Sequence, residues 1–317
     1  MFSRRHPYLF FLLIFSSISA VTIIVISLLF VLGTRDSGYD DLKAGGEKVG
    51  IIEIKGVIAD SKEVIHHLKR FREDKSIRAI VLRIDSPGGG VGPSQEIFRE
   101  VRKTVKLKKV VTSMGAVAAS GGYYIAAATD GIVANPGTIT GSIGVIMGFT
   151  NFQQLFRKIG LVPVVIKSVE YKDMGSPVRD MTDDERKILQ DLSVNIHRQF
   201  VKAISEGRKM ELSKVESIAD GRIFSGEQAK EMFLVDRLGN LEDAIEWAGR
   251  MAGIKGKISS VYAPEKKTSL LKYIIESSVK ELANQYVNTE LYAGYLYRPE
   301  FGIRVSGYGL KKRIISD

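Results

Sequence analysis

A chain of 317 residues with 44% hydrophobic and 26% charged side chains has enough apolar material for a folded core, which excludes global disorder. It contains no cysteine, which excludes disulfides, thiolate-held zinc, iron–sulfur clusters and a thiol nucleophile, and its four histidines form no H-E-x-x-H pattern. The formal net charge of +10 comes from Lys and Arg dispersed among acids, as in Lys69-Arg70-Phe71-Arg72-Glu73-Asp74-Lys75, which argues against a nucleic-acid partner and for contact with acidic lipid head groups.

The first element in chain order is apolar. No residue from Pro7 to Gly33 is charged, and YLFFLLIFSSISAVTIIVISLLFVL supplies about 25 residues, enough to cross a hydrocarbon core roughly 30 Å thick as a helix. Arg4, Arg5 and His6 precede it and Arg35, Asp36, Asp40 and Asp41 follow, and this cation excess puts the N-terminus in the cytoplasm and the rest outside. The alternative is a cleaved signal peptide with Ser17-Ile18-Ser19 before Ala20, but the apolar run continues well past that point, whereas secretory h-regions are about 7–15 residues. The expected layout is a cytoplasmic N-terminus at 1–7, a transmembrane anchor at 8–33 and a polar linker at 34–47. A compact domain follows at 48–253, and a tail at 254–317.

Within the compact part, strand-like and helix-like stretches alternate. Val49–Ile54, Ala79–Ile84, Val110–Ser113, Gly131–Ala134 and Pro163–Ile166 read as strands. Ser61–Arg72, Ser94–Leu107 and Gly121–Ala128 read as helices, as does Thr182–Gly207, opened by the capping box Thr182-Asp183-Asp184-Glu185. Ser213 to Gly253 reads as helix-turn-helix. This order predicts an α/β fold with a mainly parallel sheet covered by helices. In the tail, Ser269–Asn288 has the pattern of an amphipathic helix, and Tyr286–Tyr297 holds four Tyr among polar residues. No internal repeat occurs, so a multi-copy site requires assembly of identical chains.

Three glycine-rich segments lie at or soon after strand-like stretches: Asp85-Ser86-Pro87-Gly88-Gly89-Gly90, then Gly115 to Tyr124, then Thr140-Gly141-Ser142-Ile143-Gly144-Val145. In an open α/β sheet such loops line the ligand crevice, and small residues let backbone N–H groups approach a ligand. Neither phosphate-binding pattern is present, since Pro93 sits where G-x-G-x-x-G needs its third glycine and no G-x-x-x-x-G-K-[ST] occurs. Ser120, among Ala and Gly at the start of a helical stretch, is the candidate nucleophile. It needs a base, and the histidines are badly placed: His6 precedes the apolar span, and His66, His67 and His197 fall inside helices. A lysine serves when burial favours its neutral form. Lys172, in a loop before the long capped helix, is the best candidate by context, although a solvated loop lysine is the plainer reading of that residue alone.

Together, IDSPGGG, SMGAVAASGGYYIAAATDGIVANPGTITGSIGVI, EYKDMGSPVRDMTDDER and ADGRIFSGEQAKEMFLVDRLG closely resemble the signal peptide peptidase A family, short single-repeat type, over Val49 to Gly253. The resemblance implies the ClpP/crotonase-like fold, a repeated ββα superhelix, with Ser120 as nucleophile and Lys172 as general base. It also implies that Ser142 orients the lysine, that the N–H groups of Gly89 and Gly121 form the oxyanion hole, and that no cofactor or metal takes part. It further implies a membrane-anchored serine endopeptidase, assembled as a dome or ring of identical subunits, that degrades remnant signal peptides docked as an added strand. An NfeD-type membrane-protein protease shares the SPGG signature, and a crotonase-like acyl-CoA enzyme shares the oxyanion geometry. A non-catalytic membrane scaffold on the same fold is the remaining alternative. The tail matches the family weakly, and its role stays open.

Overall fold

The computed structural model describes residues 7–34, 46–264 and 292–296. The chain divides into two compact units, Met1–Gly46 and Glu47–Asp317. The first contains helix α1 (Pro7–Thr34), 28 residues with no acidic or basic side chain in its terminal turns. Among the residues whose side chains are described, no helix is long and apolar enough to cross a membrane. Several side chains of α1 lie outside that description, so the anchor remains a reading of the full sequence.

The second unit is built on a mainly parallel sheet. Its strands are β1 (Lys48–Lys55), β2 (Ile77–Ser86), β4 (Lys109–Ala119), β5 (Gly131–Ala134), β6 (Ile139–Gly141), β8 (Ile223–Ser225), β9 (Arg237–Leu238) and β10 (Ser259–Tyr262). The order is β10-β1-β2-β4-β5-β9, every neighbour parallel, with β6 parallel to the far end of β4 and β8 antiparallel to β6. Strands in such a sheet are covered on both faces and read as continuous apolar runs, which is why GIIEI and AIVLRI are strands despite lacking alternation.

The helices are α2 (Lys62–Glu73), α3 (Val91–Thr104), α4 (Gly121–Ala126), α5 (Gln153–Lys158), α6 (Asp183–Arg208), α7 (Leu212–Glu216), α8 (Gly226–Glu231) and α9 (Leu241–Met251). The two sheet faces take different partners. Val49, Ile51, Ala79, Val81, Val111 and Val133 pack on Ala244, Ile245 and Ala248 of α9. Side chains alternate along a strand, so the next residue, Gly50, faces the other way, against the Phe71 ring of α2. A second, three-stranded sheet is formed by β3 (Gly88–Gly90), β11 (Tyr292–Leu296) and β7 (Ile146–Gly148), with β11 in the middle and antiparallel to both.

Two expectations are corrected. Residues 163–166 form no strand: Val162, Val164 and Ile166 are 83%, 82% and 97% exposed, and the segment is irregular. A β-branched run becomes a strand only where another strand satisfies its backbone, and none lies beside this one among the described residues. The stretch 213–253 is not a plain helix-turn-helix, because β8 and β9 interrupt it to extend the sheet edges. The tail helix expected at 269–288 lies outside the described residues.

Candidate active site

The site forms where the strands end. β2 and β4 run in register to Ile84 and Met114, and then Ser86 pairs with Ala118, so β4 gains extra residues. Irregularities of this kind re-aim a strand beside functional sites. The displaced stretch is held by the Asp85 carboxylate, which accepts from Val117 N–H at 3.1 Å, and by Thr138, whose hydroxyl donates to Gly115 O at 2.8 Å. Thr140 donates to Ala118 O at 2.7 Å. The end of β4 is thereby fixed at the point where it delivers Ser120.

Ser120 sits between β4 and α4 with φ 53° and ψ −116°, a conformation that costs a side-chain-bearing residue on the order of 1–3 kcal/mol. Ser142, immediately after β6, also has a positive φ, of 50°. Surrounding hydrogen bonds hold both in place: Ser120 N–H donates to Gly141 O, and Ser142 N–H donates to Arg222 O, each at 2.8 Å. The two serines are 1% and 9% exposed and line one cavity of about 350 Å³ together with Val145, Ile146, Val194 and His197. A larger hollow of about 750 Å³ adjoins it, sharing Val145, Ile146, Gln190 and Ser193. The first N–H groups of α4, Gly121 included, have no partner within that helix, as at any helix start.

β3 supplies the other donor. Ile58 N–H donates to Gly88 O at 2.9 Å, and Gly90 N–H donates to Ile58 O at 2.8 Å. Backbone groups alternate along a strand, so the Gly89 N–H and C=O point away from Ile58, into the groove between β3 and β7. Gly88 turns the chain with φ +104°, and Gly89 is pressed so close to Ile58 that any Cβ would stand 2.2 Å from the Ile58 carbonyl oxygen. These two requirements explain the first two glycines of Gly88-Gly89-Gly90.

Lys172 lies elsewhere. It is exposed on a 3₁₀ turn, Glu170–Asp173, and is not part of the lining of the Ser120 cavity. The turn is tied to the head of α6 through Arg179. Its Nε donates to Asp173 Oδ2 and its Nη1 to Glu185 Oε2, at 2.8 and 2.9 Å. Glu185 also closes the capping box, accepting from Thr182 N–H while its own N–H donates to the Thr182 hydroxyl. The Arg179 guanidinium, helped by the Thr182 N–H, draws the Glu185 carboxyl down to about 2. Arg179, and then Lys167, hold the Asp173 carboxyl well below the usual carboxylate range. Just before the turn runs the exposed apolar stretch 161–166, an unusual surface to leave facing water.

His197 was not expected here. Its Nε2 is buried with no hydrogen-bond partner among the described residues, and its ring faces the Ser120 cavity. Gln190, Ser193, Val194 and His197 recur at helical spacing along α6 and share that lining. This stripe is the sequence signal that could have found it. Among the described residues no cluster of His, Asp and Glu could hold a metal ion.

A buried, strained serine at the carboxyl edge of a parallel sheet, with backbone N–H groups facing a groove, is an arrangement suited to acyl transfer. The comparisons with known proteins agree with that class. Residues 102–255 match the model of Peptidase family S49, and residues 47–139 match that of Clp protease. A protein of Synechocystis sp. named as a candidate protease is 47% identical over 210 residues, covering 66% of this chain and 76% of its own length. An Enterococcus faecium protein named as a candidate signal peptide peptidase SppA is 39% identical over 217 residues, 64% of this chain and 63% of that one. The chloroplastic serine protease SPPA of Arabidopsis thaliana is 33% identical over 238 residues, 72% of this chain but 35% of the relative. The chain belongs to peptidase family S49, and it is a serine protease with a ClpP-like α/β fold.

Proposed function

We propose that the protein is a membrane-anchored endopeptidase for remnant signal peptides, with Ser120 as nucleophile and Lys172 as base, the lysine reaching Ser120 from a neighbouring copy. The observation that carries this reading is the backbone of Ser120, held at φ 53° and ψ −116° with its side chain in a partly apolar cavity. Strain of that kind persists only where the surroundings impose it, and it accompanies function. The exposed position of Lys172 and the bare apolar stretch before it support assembly. Packing that stretch against a second copy removes Val162, Val164 and Ile166 from water. It also dries the lysine, which favours the uncharged amine that a base requires.

In this scheme the Ser120 hydroxyl gives its proton to the lysine amine as Oγ bonds to the scissile carbonyl carbon. The N–H groups of Gly89 and Gly121 hold the oxyanion, and Ser142 orients the amine. As the C–N bond breaks, the lysine returns the proton to the departing amine; a water, activated the same way, then releases the acid and restores the serine. The 28-residue apolar α1 anchors the enzyme where signal peptides remain after processing, and an extended apolar segment suits the groove between β3 and β7. The test is an active-site label. A fluorophosphonate should attach to Ser120 in the wild-type protein and fail to attach in Lys172→Ala, and equal labelling of both would sink the assignment of the base.

A further inference from the structure

Every neighbouring pair in the order β10-β1-β2-β4-β5-β9 is parallel, so these strands all begin at one edge of the sheet and end at the other. The end edge carries Ser120. The start edge is cationic. A hollow of about 510 Å³ opens there, and Lys75, Arg78, Lys106, Lys108 and Lys109 line it with no acid among its lining residues. Lys255 and Lys257, both exposed, stand just before β10 at the same edge.

These cations are not equivalent. Lys108 is spent inside the fold, since its Nζ donates to the backbone carbonyls of Phe71 and Asp74 at the C-terminal end of α2. Asp74 in turn accepts from the Ser76 N–H and hydroxyl. Arg78 pairs with Glu47 at 3.3 Å and Lys109 with Asp130 at 3.5 Å, part-exposed pairs of the kind that hold little energy and exchange readily for a phosphate. Lys75 and Lys106 are exposed, with no ion pair among the described residues. Beside them Leu107 stands 72% exposed on the turn 105–108. That turn is held in place, because the Leu107 and Lys108 N–H groups both donate to Thr104 O, each at 2.9 Å.

A fixed apolar tip among lysines suits a bilayer surface. The tip enters the acyl boundary while the ammonium groups stay with the phosphates, their stems lying along apolar surface. The order of the chain supplies the partner. β1 begins at this edge with Lys48, and residues 34–47 alone separate it from the apolar segment 8–33, a length that spans at most about 50 Å. A surface tethered that close to a bilayer needs only a weak affinity to stay on it.

We propose that the start edge of the sheet, with Lys75, Arg78, Lys106 and Lys109 around Leu107, docks on the anionic phosphodiester head groups of the bilayer that holds the anchor. This rests on the reading of residues 8–33 as an anchor, and it adds an orientation to it: the Ser120 edge, at the other end of the strands, is left clear for peptide. Each cation near such a surface raises the docked-to-undocked ratio about five-fold.

The chain has no cysteine, so one introduced cysteine gives a single labelled position. Full-length Leu107→Cys carrying an environment-sensitive fluorophore is reconstituted into vesicles of phosphatidylcholine alone, or of equal parts phosphatidylcholine and phosphatidylglycerol, with spin-labelled lipid as quencher. Quenching should be strong in the mixed vesicles, weak in phosphatidylcholine and lost in high salt. A label at Val57→Cys, just past the end of β1, should stay unquenched throughout. Lys75→Gln with Lys106→Gln should lower the docked-to-undocked ratio about twenty-fold while Tm and fluorophosphonate attachment to Ser120 stay unchanged, and Lys75→Arg with Lys106→Arg should keep the ratio. Equal quenching at position 107 in the two compositions, or quenching at position 57 in its place, overturns the proposal. Loss of quenching on adding inorganic phosphate at constant ionic strength also overturns it, since the hollow would then be a site for a free anion. Flotation separates this proposal from the anchor. A chain that floats with neither vesicle overturns both, and one that floats with both but shows no quenching at position 107 overturns the docking edge alone. Flotation with the mixed vesicles only upholds the docking edge and overturns the anchor.

Discussion

Gly89→Ala tests the oxyanion assignment most sharply, because the structure supplies both parts of the effect. The new methyl would stand 2.2 Å from Ile58 O, 2.5 Å from Ile58 N and 2.6 Å from Ile58 C, all backbone atoms that cannot rotate away. Ordinary contact begins near 3.4 Å, so β3 must retreat by about 1 Å. That shift carries the Gly89 N–H beyond hydrogen-bond range of an oxyanion, and loss of one such donor costs about 2.7–4 kcal/mol, or a factor of about 10²–10³ in kcat. Stability suffers less. The two hydrogen bonds joining Ile58 to Gly88 and Gly90 are at risk, each contributing about 0.5–1.5 kcal/mol. For a domain of this size that corresponds to a fall in Tm of roughly 2–10 °C. The assay is kcat on a synthetic apolar peptide at a temperature well below both transitions, with a thermal melt alongside. A folded Gly89→Ala protein retaining kcat within about three-fold of wild type would refute the role given to this N–H.

Two further outcomes follow from other parts of the site. His197→Ala should raise KM for apolar peptides several-fold while the rate of fluorophosphonate attachment to Ser120 stays unchanged, since the ring lines the cavity but is not the base; loss of labelling would make it the base. The Lys172 turn should loosen in acid. A carboxyl whose folded pKa is depressed stabilises above its ordinary value, 4.5 for Glu185, and loses that contribution as pH falls toward about 2. Hydrogen exchange of residues 169–182 should therefore quicken over that window in the wild type. In Glu185→Gln it should already be fast at neutral pH and change little, whereas identical profiles would remove Arg179–Glu185 as the tie.

The strands β1, β2 and β5 are legible in the sequence because each is a continuous β-branched run bounded by polar or glycine residues. Helix α6 announces itself through its capping box, which the structure reproduces atom for atom. Local pattern fails where partners decide. β3, β6 and β7 are three residues each and glycine-bearing, so no window is long enough to show a period. The run at 163–166 misleads in the opposite way, since Val and Ile declare strand propensity but no strand among the described residues pairs with them. The position of Ser120, between a strand and a short helix, was readable from its setting of small residues. The loop position of Lys172 and its exposure were readable too, but no local pattern gives a turn lysine a role, because what later covers an exposed turn is not written in its neighbours. His197 was passed over as a helix-interior residue, although its spacing from Gln190 and Ser193 marks the face of α6 that looks into the cavity.

Complementation between two dead proteins tests directly whether the active site is shared between copies. Ser120→Ala and Lys172→Ala chains, each inactive alone, are co-expressed and assayed on an apolar peptide. If the lysine of one copy serves the serine of its neighbour, random pairing restores roughly a quarter of wild-type activity. Activity that stays at the background of the separate variants, in mixed assemblies verified to contain both chains, would contradict a dyad built across the subunit boundary.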